Sequence, residues 1–298
     1  MFFAMNLFPN ELPHLTQREM AAHVLSWLQA HPQLRVSDQN RLSRQCQLIA
    51  KTQQVIYSDH ADWRHFVQSL KDIQEYSFMI HVLGERLMGP PFADRFVDSL
   101  RDSMHPADSG THTPGRNAQF ELFLAALADR GGLEVGGLPG AGPDWIVTAP
   151  AGRWALEAKR TKNLKMVRKH IRKAAKQILD AQIGGVIVID VSLAYNAACS
   201  PLSEHVPDRS LMQAHAARTK AFGEQLLPFI VQWIGRANVG FVVVYESVIC
   251  PASTVEGGEK SWALIGLWSK LDTVSADSPS RAHFDNLWQL LEAALPNW

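Results

Sequence analysis

Three charged side chains around a short turn have the types and spacing needed for metal-assisted hydrolysis. Asp144 lies before the turn at 150–151, and Glu157 and Lys159 lie after it. Short apolar runs flank the turn, and this pattern predicts a β-hairpin. If residues 150 and 151 form the tip, counting outwards along both arms pairs Asp144 directly with Glu157. Lys159 lies two residues beyond Glu157 on the same strand, so we expect two carboxylates and an ammonium on one face.

The other face of the predicted hairpin is apolar. The same register pairs Trp145 with Leu156 and Val147 with Trp154. Two close carboxylates repel each other unless a cation lies between them. Ligands that offer only oxygen suit a hard ion such as Mg²⁺. The hairpin therefore predicts a metal-dependent phosphodiesterase site on one face and core packing on the other.

Composition sets limits on the class of protein. The chain has 298 residues, 46% of them hydrophobic, which is enough for one large or two modest domains with a real core. Its formal net charge is zero, whereas proteins that coat nucleic acid are usually basic, so contact with nucleic acid must come from a local patch. The three cysteines form no CxxC pair, and this argues against both a disulfide framework and a zinc knuckle.

The sequence predicts a cytoplasmic protein with no membrane partner. No apolar run reaches the roughly 18 residues of a membrane-spanning helix. The apolar N-terminus stops at Asn6 and lacks the basic segment of a signal peptide. Few and scattered cysteines fit a reducing compartment.

Residues 1–110 are expected to form a mainly helical region and residues 111–298 an α/β domain. Thr16 and Glu19 form a capping-box pattern at the first helix. Further helices are expected around 38–57, 62–86 and 92–104, followed by a linker or exposed loop from His105 to Gly115. The second region is expected to contain a helix (117–130), a strand (133–136), the hairpin, a helix (163–182), a strand (186–189), a helix kinked at Pro228 (208–236), strands (239–246 and 262–269) and a helix (281–294).

The element order and two short motifs resemble the PD-(D/E)xK nuclease superfamily, which has the restriction-endonuclease-like fold. The motifs are Pro143-Asp144 and Glu157-Ala158-Lys159, and the resemblance covers residues of about 116 to 192. It implies an α/β core in which helices flank a mixed central sheet. It also implies hydrolysis of phosphodiester bonds, with DNA as the expected substrate.

The resemblance also implies a role for each residue of the motifs. Asp144 and Glu157 would bind Mg²⁺, with Mn²⁺ as an alternative, and Lys159 would position or activate the attacking water. An additional acid often comes from the helix before the first core strand, where Glu121 is the candidate. The backbone carbonyl of Ala158 would complete the metal shell. A metal neutralises developing phosphate charge and acidifies its bound water, and a lysine adds further positive charge.

The helix after the hairpin is strongly basic. From Lys159 to Lys176 there are nine basic residues and no acid. At about 100° per residue, an apolar side can pack on the sheet while a basic side contacts phosphates. The basic side comprises Lys165, Arg168, Lys169, Arg172, Lys173 and Lys176. Gln177 lies at the boundary and resembles a glutamine that lies beside the site in some branches of the superfamily.

Simpler interpretations of single residues remain open. Asp144 can be a turn residue, Glu157 and Lys159 solvent-facing strand charges, Glu121 a surface carboxylate and Gln177 a structural side chain. The glycines before the hairpin are not followed by Gly-Lys-Ser/Thr, and this excludes a P-loop.

Two other functions are also open. The first is a non-catalytic nucleic-acid-binding or regulatory protein on the same fold, which predicts salt-sensitive binding without turnover. The second is a helical interaction module in which the N-terminal region binds a protein partner or a second copy of the chain.

Overall fold

The computed structural model describes residues 2–6, 16–34, 37, 39–52, 63–105, 113–137, 142–150, 152–195, 209–251 and 262–294. Four α-helices occupy the N-terminal part of these ranges: α1 (Gln17–Ala30), α2 (Arg41–Lys51), α3 (Trp63–Leu83) and α4 (Phe92–Ser99). The predicted capping box is confirmed, because the Thr16 hydroxyl accepts from the Glu19 amide and the Glu19 carboxylate accepts from the Thr16 amide.

Helices α2 and α4 are shorter than predicted. Helix α2 begins after Asn40, whose side chain accepts from the Ser43 amide, and ends before Thr52, which has an extended backbone. Helix α4 ends at Ser99, and Asp102 follows with a positive φ of 81° that no helix accommodates. The predicted helical residues 53–57 lie outside the described part of the chain.

The remaining elements follow the predicted order. They are α5 (Pro114–Arg130), β2 (Glu134–Gly136), β3 (Trp145–Ala149), β4 (Gly152–Arg160), α6 (Val167–Asp180), β5 (Gly184–Asp190), α7 (Ser192–Tyr195), α8 (Arg209–Ile234), β6 (Val239–Pro251), β7 (Trp262–Asp272) and α9 (Arg281–Ala294), with β1 (Phe2–Asn6) at the start of the chain. Strand β1 and the short helix α7 were not predicted. A short 3₁₀ turn at Leu164–Met166 precedes α6, and Pro228 lies inside α8 without ending it.

The predicted linker from His105 to Gly115 is wrong at both ends. His105 is buried, and Pro114 already occupies the first turn of α5, a position where proline suits a helix. Residues 106–112 lie outside the described ranges.

The described strands form one mixed sheet in the order β1-β7-β6-β5-β4-β3-β2. Strands β4, β5 and β6 run parallel to their neighbours in that trio, and the other pairings are antiparallel. Helix α6 connects β4 to its parallel neighbour β5. The prediction of an α/β fold with a mixed sheet flanked by helices is therefore confirmed.

Each face of the sheet has its own apolar core. On one face, Trp154, Leu156 and Ala158 of β4 join a cluster with residues of α1–α5 and α9. On the other face, Ala155 packs with residues of α6 and α8. Side chains alternate along a strand, so Glu157 and Lys159 project toward the α6 face.

A buried ionic cluster connects the N-terminal helices to the α/β elements. Asp72 of α3 accepts from the Arg41 guanidinium of α2 at 2.6 Å and from that of Arg116 of α5 at 2.8 Å. Burial alone would raise the pKa of Asp72, but the two guanidiniums outweigh it and hold this pKa well below its usual value.

None of the described helices is both long and apolar enough to cross a membrane.

Candidate active site

The hairpin has the predicted register. Trp145 pairs with Leu156, Val147 pairs with Trp154, and the turn closes between Ala149 and Gly152. Ala151, at the predicted tip, is not among the described residues. The register places the residue before β3, Asp144, opposite Glu157.

Asp144, Glu157 and Lys159 are in direct contact. The Asp144 amide donates to Glu157 Oε1 at 3.1 Å. Lys159 Nζ lies 2.7 Å from Asp144 Oδ2 and 2.6 Å from Glu157 Oε2. The Ala158 amide also donates to Asp144 Oδ2, at 2.8 Å, so both the backbone of β4 and the ammonium hold this carboxylate. All three side chains are buried, Glu157 completely.

The electrostatics of the three groups are coupled. Burial, and then the neighbouring Asp144 carboxylate, raise the pKa of Glu157 to about 8. Burial alone would lower the pKa of Lys159, but the two carboxylates outweigh it and hold this pKa above its usual value. The pair of carboxylates therefore favours the protonated form of Lys159, while burial beside Asp144 makes Glu157 harder to ionise than a free glutamate.

Glu121 lies near Asp144, and an arginine connects the two carboxylates. Its carboxylate accepts from the Asn117 amide group and forms an ion pair with Arg95 of α4. Arg95 Nη1 is also 4.0 Å from Asp144 Oδ1. The backbone carbonyl of Glu121 accepts from the Trp145 indole at 2.7 Å, and this fixes α5 against the start of β3.

Gln177 and Ala158 hold the backbone near Asp144. Gln177 Nε2 donates to the carbonyl of Gly142 at 3.0 Å, so it ties the segment before Asp144 to α6. Ala158 contributes its amide, as described above. A metal-binding role for the Ala158 carbonyl stays a prediction.

Helix α6 is oriented as predicted. Val167, Ile171, Ala174 and Ile178 are buried against the sheet. The six predicted phosphate-contacting residues are exposed, and the structure shows no ion pair to any of them within its described ranges: Lys165, Arg168, Lys169, Arg172, Lys173 and Lys176. His170 of α6 is half-buried, and burial followed by the charge of Lys159 lowers its pKa.

Sequence reasoning missed Arg95 and Arg160. Arg95 belongs to a helix far from the motif in sequence, and no local pattern marks it. Arg160 follows Lys159 and projects to the opposite face, where it donates to Asp190 at 2.5 Å and to Glu75 at 3.1 Å. Strand alternation could have revealed this, because an arginine directed into a core requires buried acidic partners.

Asn117 connects Glu121 to the backbone of β4. Its side-chain oxygen accepts from the Arg160 amide at 3.0 Å, while its amide group donates to Glu121. The α5 side chains near the site are thereby tied to the same strand that carries Glu157 and Lys159.

The chemistry of the cluster fits a hard divalent ion. Glu121 Oε2 and Glu157 Oε2 are buried, and each is paired with one cationic side chain, Arg95 and Lys159 respectively. The metal ligands that these side chains can offer are carboxylate oxygens, which Mg²⁺ prefers. No three His, Cys, Asp or Glu residues of the described chain form a ready metal-binding group. Lys159 instead lies between two of the carboxylates, and Arg95 bridges Asp144 and Glu121.

Comparison of the chain with protein-family models, curated proteins and solved structures finds no match. Its function must therefore be inferred from the residues and their geometry.

Proposed function

We propose that this protein is a metal-dependent nuclease with a restriction-endonuclease-like core that hydrolyses phosphodiester bonds in DNA. The observation that carries the proposal is the contact of Lys159 with both Asp144 and Glu157 across a hairpin. Burying two carboxylates and an ammonium costs several kcal/mol in desolvation unless the charges compensate one another. Apolar residues at these positions would stabilise the sheet at least as well, so stability alone does not account for the three charged side chains.

Asp144 and Glu157 would hold Mg²⁺ or Mn²⁺, with Glu121 and the Ala158 carbonyl completing or ordering the shell. The bound ion would supply neutralisation of phosphate charge and acidification of water. Lys159 remains protonated, because the carboxylates hold its pKa above the usual value. It would therefore orient the attacking water by hydrogen bonding and stabilise the negative charge that develops at phosphorus.

The exposed basic side of α6 would bind the DNA backbone. These cations lack ion-pair partners in the described structure, so phosphates can neutralise them without first displacing a carboxylate. Because α6 packs on the same face of the sheet as Glu157 and Lys159, a bound strand would be kept beside the site.

A non-catalytic nucleic-acid-binding protein is the second candidate. It is favoured by the exposed basic side of α6, which is available to phosphates whether or not the hairpin binds a metal. This alternative predicts salt-sensitive DNA binding that Mg²⁺ leaves unchanged.

Cleavage assays separate the two candidates. Supercoiled plasmid, linear duplex, single-stranded DNA and RNA are incubated with the protein and Mg²⁺, with and without chelator. We expect DNA cleavage that chelator and Asp144→Ala abolish, while Asp277→Ala, which alters an exposed aspartate, leaves it intact. Full activity in purified Asp144→Ala would reject the nuclease. DNA binding without cleavage of any substrate would favour the second candidate.

A further inference from the structure

Arg95 brings a cation from the N-terminal helices into the candidate site. Its guanidinium pairs with Glu121, and its Nη1 is 4.0 Å from Asp144 Oδ1. The Arg95 side chain is 35% exposed, whereas those of Glu121 and Asp144 are 5% and 8% exposed. A ligand that approaches from solvent therefore meets the guanidinium before it reaches these carboxylates.

Trp145 gives Arg95 a second anchor that does not depend on the carboxylates. The guanidinium carbon lies 5.5 Å from the centre of the Trp145 ring, within the range of a cation–π contact. That ring is itself fixed, because it stacks on Phe92 at 5.0 Å and its indole donates to the Glu121 carbonyl. The guanidinium can therefore exchange one anionic partner for another while it keeps its place over the ring.

A divalent ion and Arg95 cannot both make full use of the same carboxylate oxygens. Glu121 Oε2 is buried, and its partner in the described structure is the Arg95 guanidinium. An ion with two charges competes strongly for such an oxygen. A guanidinium released from it retains a planar set of donors that matches the oxygens of a phosphate.

We propose that Arg95 is a phosphate-binding residue that Glu121 holds in the metal-free protein and that a divalent ion releases to the substrate. This inference rests on the proposed nuclease function and adds a link between metal binding and substrate binding. It predicts two effects of opposite sign on loss of the guanidinium. The metal binds more tightly because a competitor is gone, and the substrate binds less tightly because a phosphate ligand is gone.

The first test is calorimetric titration of Mg²⁺ and of Ca²⁺ into the full-length protein without DNA. We expect Arg95→Gln to bind either ion about three- to tenfold more tightly than wild type, from loss of one charge-assisted pair. Arg101→Gln is the matched control, because Arg101 follows α4, is exposed and pairs with Asp98. It should bind the ions as wild type does.

The second test measures binding of a labelled DNA duplex by fluorescence anisotropy, with Ca²⁺ and with chelator. We expect Ca²⁺ to strengthen duplex binding by wild type, and Arg95→Gln to lose most of that gain while matching wild type in chelator. Arg95→Lys, which keeps the charge but not the planar donors, should retain part of the gain. If Arg95 had only a structural role, Arg95→Gln would not combine tighter ion binding with a loss of the Ca²⁺-dependent part of DNA binding.

The possible failures are distinguishable. If wild type binds Mg²⁺ and Arg95→Gln binds it equally or less tightly, this inference is overturned and the nuclease proposal stands. If Ca²⁺ strengthens duplex binding equally in Arg95→Gln and wild type, this inference is likewise overturned and the nuclease proposal stands. A wild-type protein that binds no divalent ion at all would overturn both proposals.

Discussion

Lys159 Nζ lies 2.7 Å from Asp144 Oδ2 and 2.6 Å from Glu157 Oε2, so one buried ammonium is shared by two buried carboxylates. The two acids come from opposite arms of one hairpin, and its register makes them neighbours. The contact links stability to chemistry, because the same cation that compensates these charges is the proposed partner of the attacking water.

Removal of the Lys159 ammonium should destabilise the metal-free protein. Lys159→Ala leaves Asp144 and Glu157 buried beside each other without their cation, and we expect the free energy of unfolding to fall by about 3 kcal/mol. Urea denaturation in chelator measures the loss, with exposed Lys165→Ala as the control. Mg²⁺ should stabilise Lys159→Ala more than wild type, because it replaces the missing charge. Equal stability of Lys159→Ala and wild type in chelator would argue against the shared contact.

Glu157 should make the stability of the metal-free protein depend on pH. Its folded pKa of about 8 lies above the value of 4.5 for a free glutamate, so protonation favours the folded state. The contribution is fully present below pH 4.5 and is lost as the pH rises through 8. In chelator, Glu157→Gln should therefore exceed wild type in unfolding free energy by about 4–5 kcal/mol at pH 9 and by less than about 1 kcal/mol near pH 5.

Denaturation of both proteins at the two pH values measures this difference. Glu134→Gln, which changes an exposed glutamate of β2, controls for the loss of one surface charge. A Glu157→Gln protein that is less stable than wild type at pH 9 would show that ionised Glu157 is favourable in the fold.

The basic side of α6 should contribute to DNA binding through salt-dependent contacts. Replacing Lys169 and Arg172 together with glutamine removes two exposed cations without altering the buried side of the helix. We expect weaker duplex binding and a salt dependence that is shallower by about one unit per lost phosphate contact. Anisotropy titrations at several salt concentrations measure the slope. Lys220→Gln, on the exposed part of α8, is the control. An unchanged slope in the double variant would exclude α6 from the interface.

The sequence predicted the parts of the structure that depend on local pattern. Alternation and turn residues gave the hairpin register, and therefore the meeting of Asp144 with Glu157 and the sharing of a face with Lys159. Helical periodicity separated the buried side of α6 from its basic side. Each of these predictions depended only on residues within one helix or one hairpin.

Long-range contacts were beyond the reach of these patterns. The pairing of Arg95 with Glu121 depends on how α4 packs against α5. The sequence of either helix alone does not indicate this packing. Strand β1 is a short edge strand whose pairing partner, β7, lies at the other end of the chain. The start of α5 was placed too late because the polar residues before it are typical of a loop, although proline suits the first helical turn.

Asp72 should be among the most sensitive positions for stability. Asp72→Asn leaves the buried guanidiniums of Arg41 and Arg116 without their shared anion, and we expect a loss of about 3–5 kcal/mol. The pKa of Asp72 lies well below its usual value, so its contribution is present above the ordinary carboxyl pKa and is lost only as the pH falls through the lowered value. The loss should therefore be equal at pH 5 and pH 9, unlike the effect of Glu157→Gln. Denaturation at pH 5 and pH 9 measures the loss, with the half-exposed Asp98→Asn as the control. A loss that differs between the two pH values would contradict this prediction.

The most direct test of the proposed site is the rate of DNA cleavage by Glu157→Gln as Mg²⁺ is increased. This substitution keeps the shape of the side chain and is expected to stabilise the metal-free fold at alkaline pH, so lost activity there cannot be attributed to unfolding. We expect wild type to cleave duplex DNA at pH 8.5 (roughly half a unit above the midpoint of the Glu157 transition) and Glu157→Gln to show no cleavage at any Mg²⁺ concentration. Cleavage by Glu157→Gln at the wild-type rate would contradict the assignment of Asp144, Glu157 and Lys159 as a nuclease site.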